Sequence, residues 1–305
     1  MSTYMPKPQN QTVFSPTKRR VLVLGGSGFV GRHLCEKLIR AGHQVTVPTR
    51  KAASAKHIQH LPGLTVLEAN VFDATQLSQL IAGHDTVINL VAILHGNEQS
   101  FDRTHVQLPR LIVQACQSAG VSRVLHVSAI GVSESAPSMY LRSKARGEAV
   151  LINSGLDVSL LRPSVIFGAD DKFTNLFASL ATLTPVLPLA GAKAQFQPVW
   201  VEDVAQALVN LLDLPKSQRQ TVVEACGPQV LSLTDIVMRC ALRVQRAPVI
   251  IGLPEWAALA QAALMELMPG QPLMSRDNVR SMQVANVASA SLPGLQSLGV
   301  KPKPL

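Results

Sequence analysis

Through the first half of the chain, short β-branched runs alternate with longer segments whose apolar residues recur at helical spacing. The runs at 20–25, 44–49, 64–69, 86–92, 123–128 and 157–161 read as strands. The segments 29–41, 74–82, 101–119 and 138–153 read as the helices between them. Gly42, Gly83, Gly120 and Gly155 each follow one of these helices, where glycine makes the left-handed stop easiest. Strict strand–helix alternation with strands this apolar predicts an α/β fold, a doubly wound parallel sheet covered on both faces and Rossmann-like. Beyond Arg162-Pro163 the regularity fades and proline becomes frequent, with helices expected at 204–212 and 233–243 and loops at 182–197 and over much of 221–305. The expected organisation is a flexible leader at 1–17, a Rossmann domain at 18–168 and a smaller mixed lobe on the substrate side at 169–305. Some segments of that lobe are expected to pack back on the sheet.

One late segment, 254–268, gathers Trp256, Ala260, Ala263, Leu264 and Leu267 on one face and sets Glu255, Ala262 and Glu266 opposite. Packing in the core or against another subunit is the reading its pattern favours, with a membrane surface as the alternative. It is too short and too often interrupted to span a bilayer.

Composition narrows the class. Hydrophobic residues make up 47% of the 305, and aromatic residues only 4%, which suits an aliphatic globular core. The four cysteines, Cys35, Cys116, Cys226 and Cys240, show no C-x-x-C spacing, so reduced thiols in a cytoplasmic protein are expected and no disulfide or thiolate metal site. His57 and His60 have helical spacing but no third ligand, and no metal is expected there. The net charge of +9 is uneven. Residues 1–20 carry Lys7, Lys18, Arg19 and Arg20 against no acid, and in residues 32–60 Arg32, Lys37, Arg40, Arg50, Lys51 and Lys56 face only Glu36. Such an excess favours a bound phosphate or peripheral contact with an anionic membrane. No basic stripe interleaved with aromatics points to nucleic acid. Arg19-Arg20 before Val21-Leu22-Val23-Leu24 looks like a twin-arginine signal, yet the apolar run is too short and reads as a buried first strand. Pro6, Pro8 and Pro16 would break the helix of a transit peptide.

The first chemistry-bearing motif is Gly25-Gly26-Ser27-Gly28-Phe29-Val30-Gly31, between the first strand and the first helix. Gly25 permits the tight turn, Gly28 the approach of backbone amides to a pyrophosphate, and Gly31 close helix contact. In that context it predicts a dinucleotide site, with Ser27, Phe29 and Val30 beside the phosphates. No Asp or Glu lies between Glu36 and Glu68 to hold the adenosine ribose, and the second strand ends Pro48-Thr49-Arg50. Arg50, helped by Arg32, is therefore expected to pair with a 2′-phosphate, which favours NADP(H) over NAD(H). The remaining cofactor candidates are Asn70, Val71, Val91, Ala92, Pro163 and Val165.

Tyr140-Leu141-Arg142-Ser143-Lys144 sets a phenol and an ammonium four residues apart on one helical face. The cation is expected to lower the phenol's pKa for proton transfer, and Lys144 to hold the nicotinamide ribose. With this motif the chain resembles the extended short-chain dehydrogenase/reductase superfamily. More narrowly, it is similar to the atypical branch containing the NADPH-binding accessory subunit of respiratory complex I and its bacterial relatives. The residues carrying the likeness are 25–31, 140–148, Leu161-Arg162-Pro163-Ser164-Val165-Ile166-Phe167-Gly168 and Gln197-Pro198-Val199-Trp200-Val201-Glu202-Asp203-Val204-Ala205. The resemblance implies a catalytic Tyr140 and Lys144, but also a hydroxyl where Ile130 stands and an asparagine where His105 stands. Ser128, Ser133 and Ser138 are the candidates to replace the missing hydroxyl.

Two functions follow as expectations. One is a cofactor-binding accessory or assembly protein of a membrane-associated respiratory or quinone-synthesis complex, cytoplasmic and peripheral on the inner face of the membrane. The other is an active NADP-dependent oxidoreductase or epimerase acting through Tyr140 and Lys144 on a carbonyl or nucleotide-sugar-like substrate. A regulator that senses the redox state of NADP(H) is a third.

Overall fold

The structure is a computed structural model that describes residues 18–268, 270 and 272–305; the leader expected at 1–17 lies outside the described residues. The first strand, β1 (Arg20–Leu24), is buried from Val21 onward because neighbours and helices cover both its faces. Val21 and Val23 join one core, and Leu22 and Leu24 the opposite one. The chain continues through α1 (Phe29–Arg40), β2 (Gln44–Thr49), β3 (Leu64–Glu68), α2 (Ala74–Ile81), β4 (Thr86–Asn89), α3 (Glu98–Asp102), α4 (Leu108–Ala119), β5 (Arg123–Val127), α5 (Met139–Ile152) and β6 (Asp157–Pro163). Then come β7 (Ile166–Phe167), α6 (Lys172–Leu183), β8 (Val186–Ala190), β9 (Gln195–Phe196), β10 (Val199–Trp200), α7 (Val201–Asp213), β11 (Val222–Ala225), β12 (Leu231–Ser232), α8 (Leu233–Arg243), β13 (Val249–Leu253), α9 (Glu255–Glu266) and α10 (Arg276–Ser281).

The central sheet has seven strands in the order β11-β6-β5-β4-β1-β2-β3, all parallel. Helices α1 and α7 bury Leu34, Leu38, Val204 and Leu208 against one face, while α2, α4 and α5 bury Leu77, Ile81, Ile112 and Leu151 against the other. Strand order reverses at β1, between β2 and β4, which opens a crevice at the carboxyl ends of these strands. The four glycines expected to end helices all have positive φ, from 70° to 87°.

Three expectations are corrected. The fourth strand ends at Asn89 instead of 92, because Asn89 Oδ1 accepts a hydrogen bond from Val91 N–H and turns the chain out of the ladder. The helix expected at 101–119 begins at Glu98 behind the cap Asn97, and one π-turn at Arg103–Gln107 interrupts it. The largest correction concerns α9. Its large apolar side chains face solvent, with Trp256 75%, Leu264 67% and Leu267 83% exposed. The helix is seated through Ala258 and Ala262, which pack with Ala190, Val279 and Leu253. Two small residues let it lie close on the ribbon formed by β8 and β13, where a tryptophan or leucine would hold it off. The segment 182–197, read as loop, also carries the strand β8, and a helix, α6, precedes it where none was expected. All four cysteines are free and buried, with burial pushing Cys35, Cys116 and Cys226 up to about 12 and Cys240 to about 11. Among the described residues no helix is long and apolar enough to cross a membrane.

Candidate cofactor and catalytic site

At the crevice, β1 leads into a turn closed by Gly28 N–H donating to the Gly25 carbonyl at 3.0 Å, with Gly25 at φ 83°. A Cβ on Gly31 would lie 2.5 Å from Gly26 Cα and clash with the Gly25 carbonyl, so the helix can sit this close only with glycine there. Helix α1 has no side-chain cap and no acid in its first turn, whereas α2, α5, α6 and α8 are capped by Asp73, Ser138, Asp171 and Ser232. The first amides of α1, around Phe29 and Val30, are thus free donors at the positive end of a helix, the arrangement that receives a pyrophosphate. The turn also touches the end of β4: a Cβ on Gly25 would lie 3.3 Å from Val91 N.

The surrounding candidates fare unequally. Arg32 is engaged by Asp170, with its guanidinium carbon 5.7 Å from the Phe29 ring centre. Arg50 stands exposed at the end of β2 and meets no carboxylate among the described residues. The acid missing from β2 stands on its neighbour. Glu68 is in register with Thr49, and its Oε1 accepts from Ala52 N–H at 2.6 Å, committing it to the loop after β2. Asn70 Oδ1 accepts from Phe72 N–H at 3.1 Å and holds the turn that carries Val71. Ala92 is exposed beyond Val91, and Pro163 is buried at the end of β6. Val165 N–H is already accepted by Asn286 Oδ1 at 3.0 Å, leaving only the rest of Val165 to face a cofactor.

At the other end of the crevice, β5 stops at Val127 and α5 starts at the Ser138 cap, and Lys144 on α5 reaches the end of β5 next to Ser128. Lys144 is 2% exposed, donates from Nζ to the Val127 carbonyl at 2.9 Å, and is held down to about 8 by burial. Ser128 is 3% exposed and its Oγ has no partner among the described residues. The expected lowering of the Tyr140 phenol is overturned: burial pushes it up to about 12, while the Lys144 ammonium is directed at a backbone carbonyl. Its ring lies edge-on to His105, with centres 5.5 Å apart, and near Phe101 at 6.1 Å.

His105 occupies the π-turn. Its Nε2 accepts from Ile93 N–H at 3.2 Å, so its proton is on Nδ1, which donates to Ser143 Oγ at 2.8 Å; Ser143 in turn donates to the Tyr140 carbonyl. Burial and, secondarily, the Lys144 charge bring His105 down to about 3. Gly147 makes this crossing possible, since any Cβ there would strike the His105 carbonyl. His126 is likewise buried, held far below its ordinary value by burial, and takes a hydrogen bond from Asn89 Nδ2 at 3.0 Å. Ile130 is buried and supplies no donor beyond its amide, which goes to Pro163 O. Of the replacement hydroxyls, Ser138 is used as the cap and Ser133 pairs with Ser135 in an exposed loop. Only Ser128 is unpartnered.

Sequence reasoning missed Ser143, Gly147, Asn89, His126 and Asp277. Ser143 and Gly147 follow Tyr140 at helical spacing, a signal that was present. Asp277 was not findable that way: it reaches from α10 to accept from Met139 N–H at 2.7 Å and Tyr140 N–H at 3.0 Å. The free α1 amides, the glycine cradle and the orphaned Ser128 Oγ fit a dinucleotide. The first two would take the pyrophosphate, and Ser128 with Lys144 the nicotinamide end.

A family model described as NAD(P)H-binding matches residues 25–215, from the first glycine of the turn to beyond α7. The chain belongs to this NAD(P)H-binding family. Among its relatives is the NADH dehydrogenase [ubiquinone] 1 alpha subcomplex subunit 9, mitochondrial, of Mus musculus, 34% identical over 93% of this chain and 76% of the relative. Ceramide reductase of Caulobacter vibrioides is 26% identical over 81% of this chain and 77% of its own. The fold matches that of an NADPH-dependent quinone oxidoreductase from Escherichia coli complexed with NADPH. The TM-score is 0.74, at 18% identity over 93% of this chain and 96% of the other.

Proposed function

We propose that this chain binds NADP(H) as an accessory or assembly protein of a membrane-associated respiratory or quinone-synthesis complex, cytoplasmic and peripheral on the inner face of the membrane. The observation that carries the reading is the contrast within the crevice. The phosphate end keeps its free amides and glycine cradle, while the reacting end has Ile130 in place of a donor and His105 locked into packing. Loss of an oriented donor costs a reacting oxygen orders of magnitude in rate. In this reading the bound cofactor would supply a hydride but serves to fix the crevice. The α1 amides hold its pyrophosphate, Arg50 pairs with its 2′-phosphate, and Lys144 and Ser128 bond its nicotinamide ribose. The relationship to the mouse complex I subunit supports the partner class.

A second reading, an active NADP-dependent oxidoreductase, is favoured by one observation. Ser128 Oγ is buried and has no partner among the described residues, next to the Val127 carbonyl that Lys144 reaches, which leaves it free to bond a substrate carbonyl. The relationship to a ceramide reductase is compatible with it. Identification of the nucleotide that co-purifies, with NADPH and NADH titrations and fractionation of cells, tests the first reading. NADPH recovered from protein in the membrane fraction is expected. Equal or tighter binding of NADH overturns the cofactor preference, and recovery wholly apart from membranes overturns the placement.

A further inference from the structure

Among the described residues, nine of the fifteen exposed large hydrophobic residues lie between Leu242 and Leu273, so the outer face of the C-terminal lobe is apolar by concentration and not by chance scatter. Strands β8 and β13 pair in parallel with Val186 opposite Val249 and Pro188 opposite Ile251, and these four side chains share the outer face of the ribbon while Leu187 and Leu189 face the core. The chain then enters α9, whose outward stripe is Trp256, Ala260, Leu264 and Leu267.

Charge decides what covers this surface. Of the two acids of α9, Glu266 is neutralised by Arg276 at 2.8 Å, while Glu255 keeps its charge and accepts from Gln283 Nε2 at 2.6 Å. Just before β13, Arg243 and Arg246 are exposed, and among the described residues neither pairs with a carboxylate. An apolar stripe with a tryptophan at one end, and two guanidinium groups unpaired among the described residues in the segment leading to it against one uncompensated acid, Glu255, is the chemistry of the boundary between acyl chains and anionic headgroups. Apart from the Trp256 indole N–H, the stripe offers no side-chain hydrogen-bonding group.

We infer that the outer face of β13 and α9 is a docking surface for an anionic lipid bilayer, with Trp256, Leu264 and Leu267 entering the interface and Arg243 and Arg246 meeting the headgroups. The inference rests on the membrane-associated role proposed above and gives it a definite side of the molecule. That side adjoins the site: Asp277 and Asn278, just past α9, hold Tyr140 N–H and the Leu94 carbonyl.

The chain has two tryptophans, and Trp200 is covered by Lys303 Nζ at 4.2 Å from its ring centre. A Trp200→Phe protein therefore reports on Trp256 alone. It is mixed with vesicles of phosphatidylcholine, or of equal parts phosphatidylcholine and phosphatidylglycerol. A blue shift of Trp256 emission is expected with the mixed vesicles and not with the neutral ones. Leu264→Ser/Leu267→Ser is expected to abolish it, and Arg243→Gln/Arg246→Gln to weaken partitioning by roughly 30-fold. NADPH titration on the same variants should be unchanged. The Trp200→Phe protein itself separates the two readings, since NADPH binding without any vesicle binding sinks only the docking face, and vesicle binding without NADPH binding sinks only the cofactor assignment. Absence of any shift on mixed vesicles overturns the inference. So does a dimer in sedimentation that Leu264→Ser/Leu267→Ser dissolves, because a second copy then covers the face.

Discussion

The two ends of the crevice differ in what holds them. At the phosphate turn the recognition elements are backbone amides, and the side chains that matter are those absent at Gly25, Gly28 and Gly31. At the tyrosine end recognition would depend on side-chain donors, and there Ile130 and His105 have been drawn into packing and internal hydrogen bonds. Backbone geometry is kept as long as no Cβ intrudes, whereas an oriented hydroxyl is lost in a single substitution. Binding can therefore outlive chemistry on the same fold. Breaking each end in turn should have very different consequences.

The largest effect is expected at Gly31. Gly31→Ala drives a methyl into the Gly25 and Gly26 backbone, which no side-chain rotation relieves. A cost of about 3 kcal/mol is expected from overpacking of this kind. Displacement of the free amides should also weaken NADPH at least ~100-fold. Thermal unfolding and fluorescence titration check the two parts; near-native affinity would mean the cradle is not the site.

At the tyrosine end the corresponding test is acid stability. His105 has its native pKa depressed to about 3 from an ordinary 6.5, so between those values the unfolded chain binds the extra proton. Stability should then fall as pH falls through that window, by roughly 1.4 kcal/mol per unit. His126 adds loss in the same direction. His105→Asn should remove about 2 kcal/mol of the loss between pH 7 and pH 5, measured by urea unfolding at each pH. An unchanged slope would show that His105 is not locked neutral in the native state.

These two tests also mark what was legible in the sequence. The glycine turn could be read because strand, turn and helix are contiguous, and so could the doubly wound parallel sheet, because apolar strands and periodic helices alternate. Helix α8 was expected at its observed bounds. The direction of α9 was not legible, because periodicity identifies a face but not which side is buried, and two alanines outweighed a tryptophan and two leucines. Nor could the chain order show that Asp277 and Asn286 close over Tyr140 and Val165, or that Arg32 would be claimed by Asp170 from across the crevice. The π-turn at His105 has no periodic signature, since it is one extra residue accommodated against Gly147.

A smaller effect is expected at Arg50, where the proposed function puts the choice of nucleotide. With Arg32 engaged elsewhere, Arg50→Gln should cost NADPH about tenfold in affinity, the lower end of a charge-assisted bond because the site is exposed, and leave NADH within about twofold. Equal losses for the two nucleotides would move the arginine away from the 2′-phosphate. Equal retention would turn attention to Lys51 on the same loop.

The smallest effect is expected where a catalytic reading would place the largest. Tyr140→Phe removes only the phenol oxygen and keeps the ring against His105 and Phe101. The phenol lies near 12 and makes no hydrogen bond among the described residues, so its loss should change NADPH affinity by less than about twofold and stability by less than ~1 kcal/mol. Cells carrying the variant in place of the native gene should grow as before if the crevice serves binding. If growth fails while NADPH binding and membrane recovery persist, the phenol is transferring a proton. The unpartnered Ser128 would then be the hydroxyl that completes the reacting end. Ser128→Ala should in that event reproduce the growth defect, whereas in a binding-only crevice it should do no more than loosen the nicotinamide ribose.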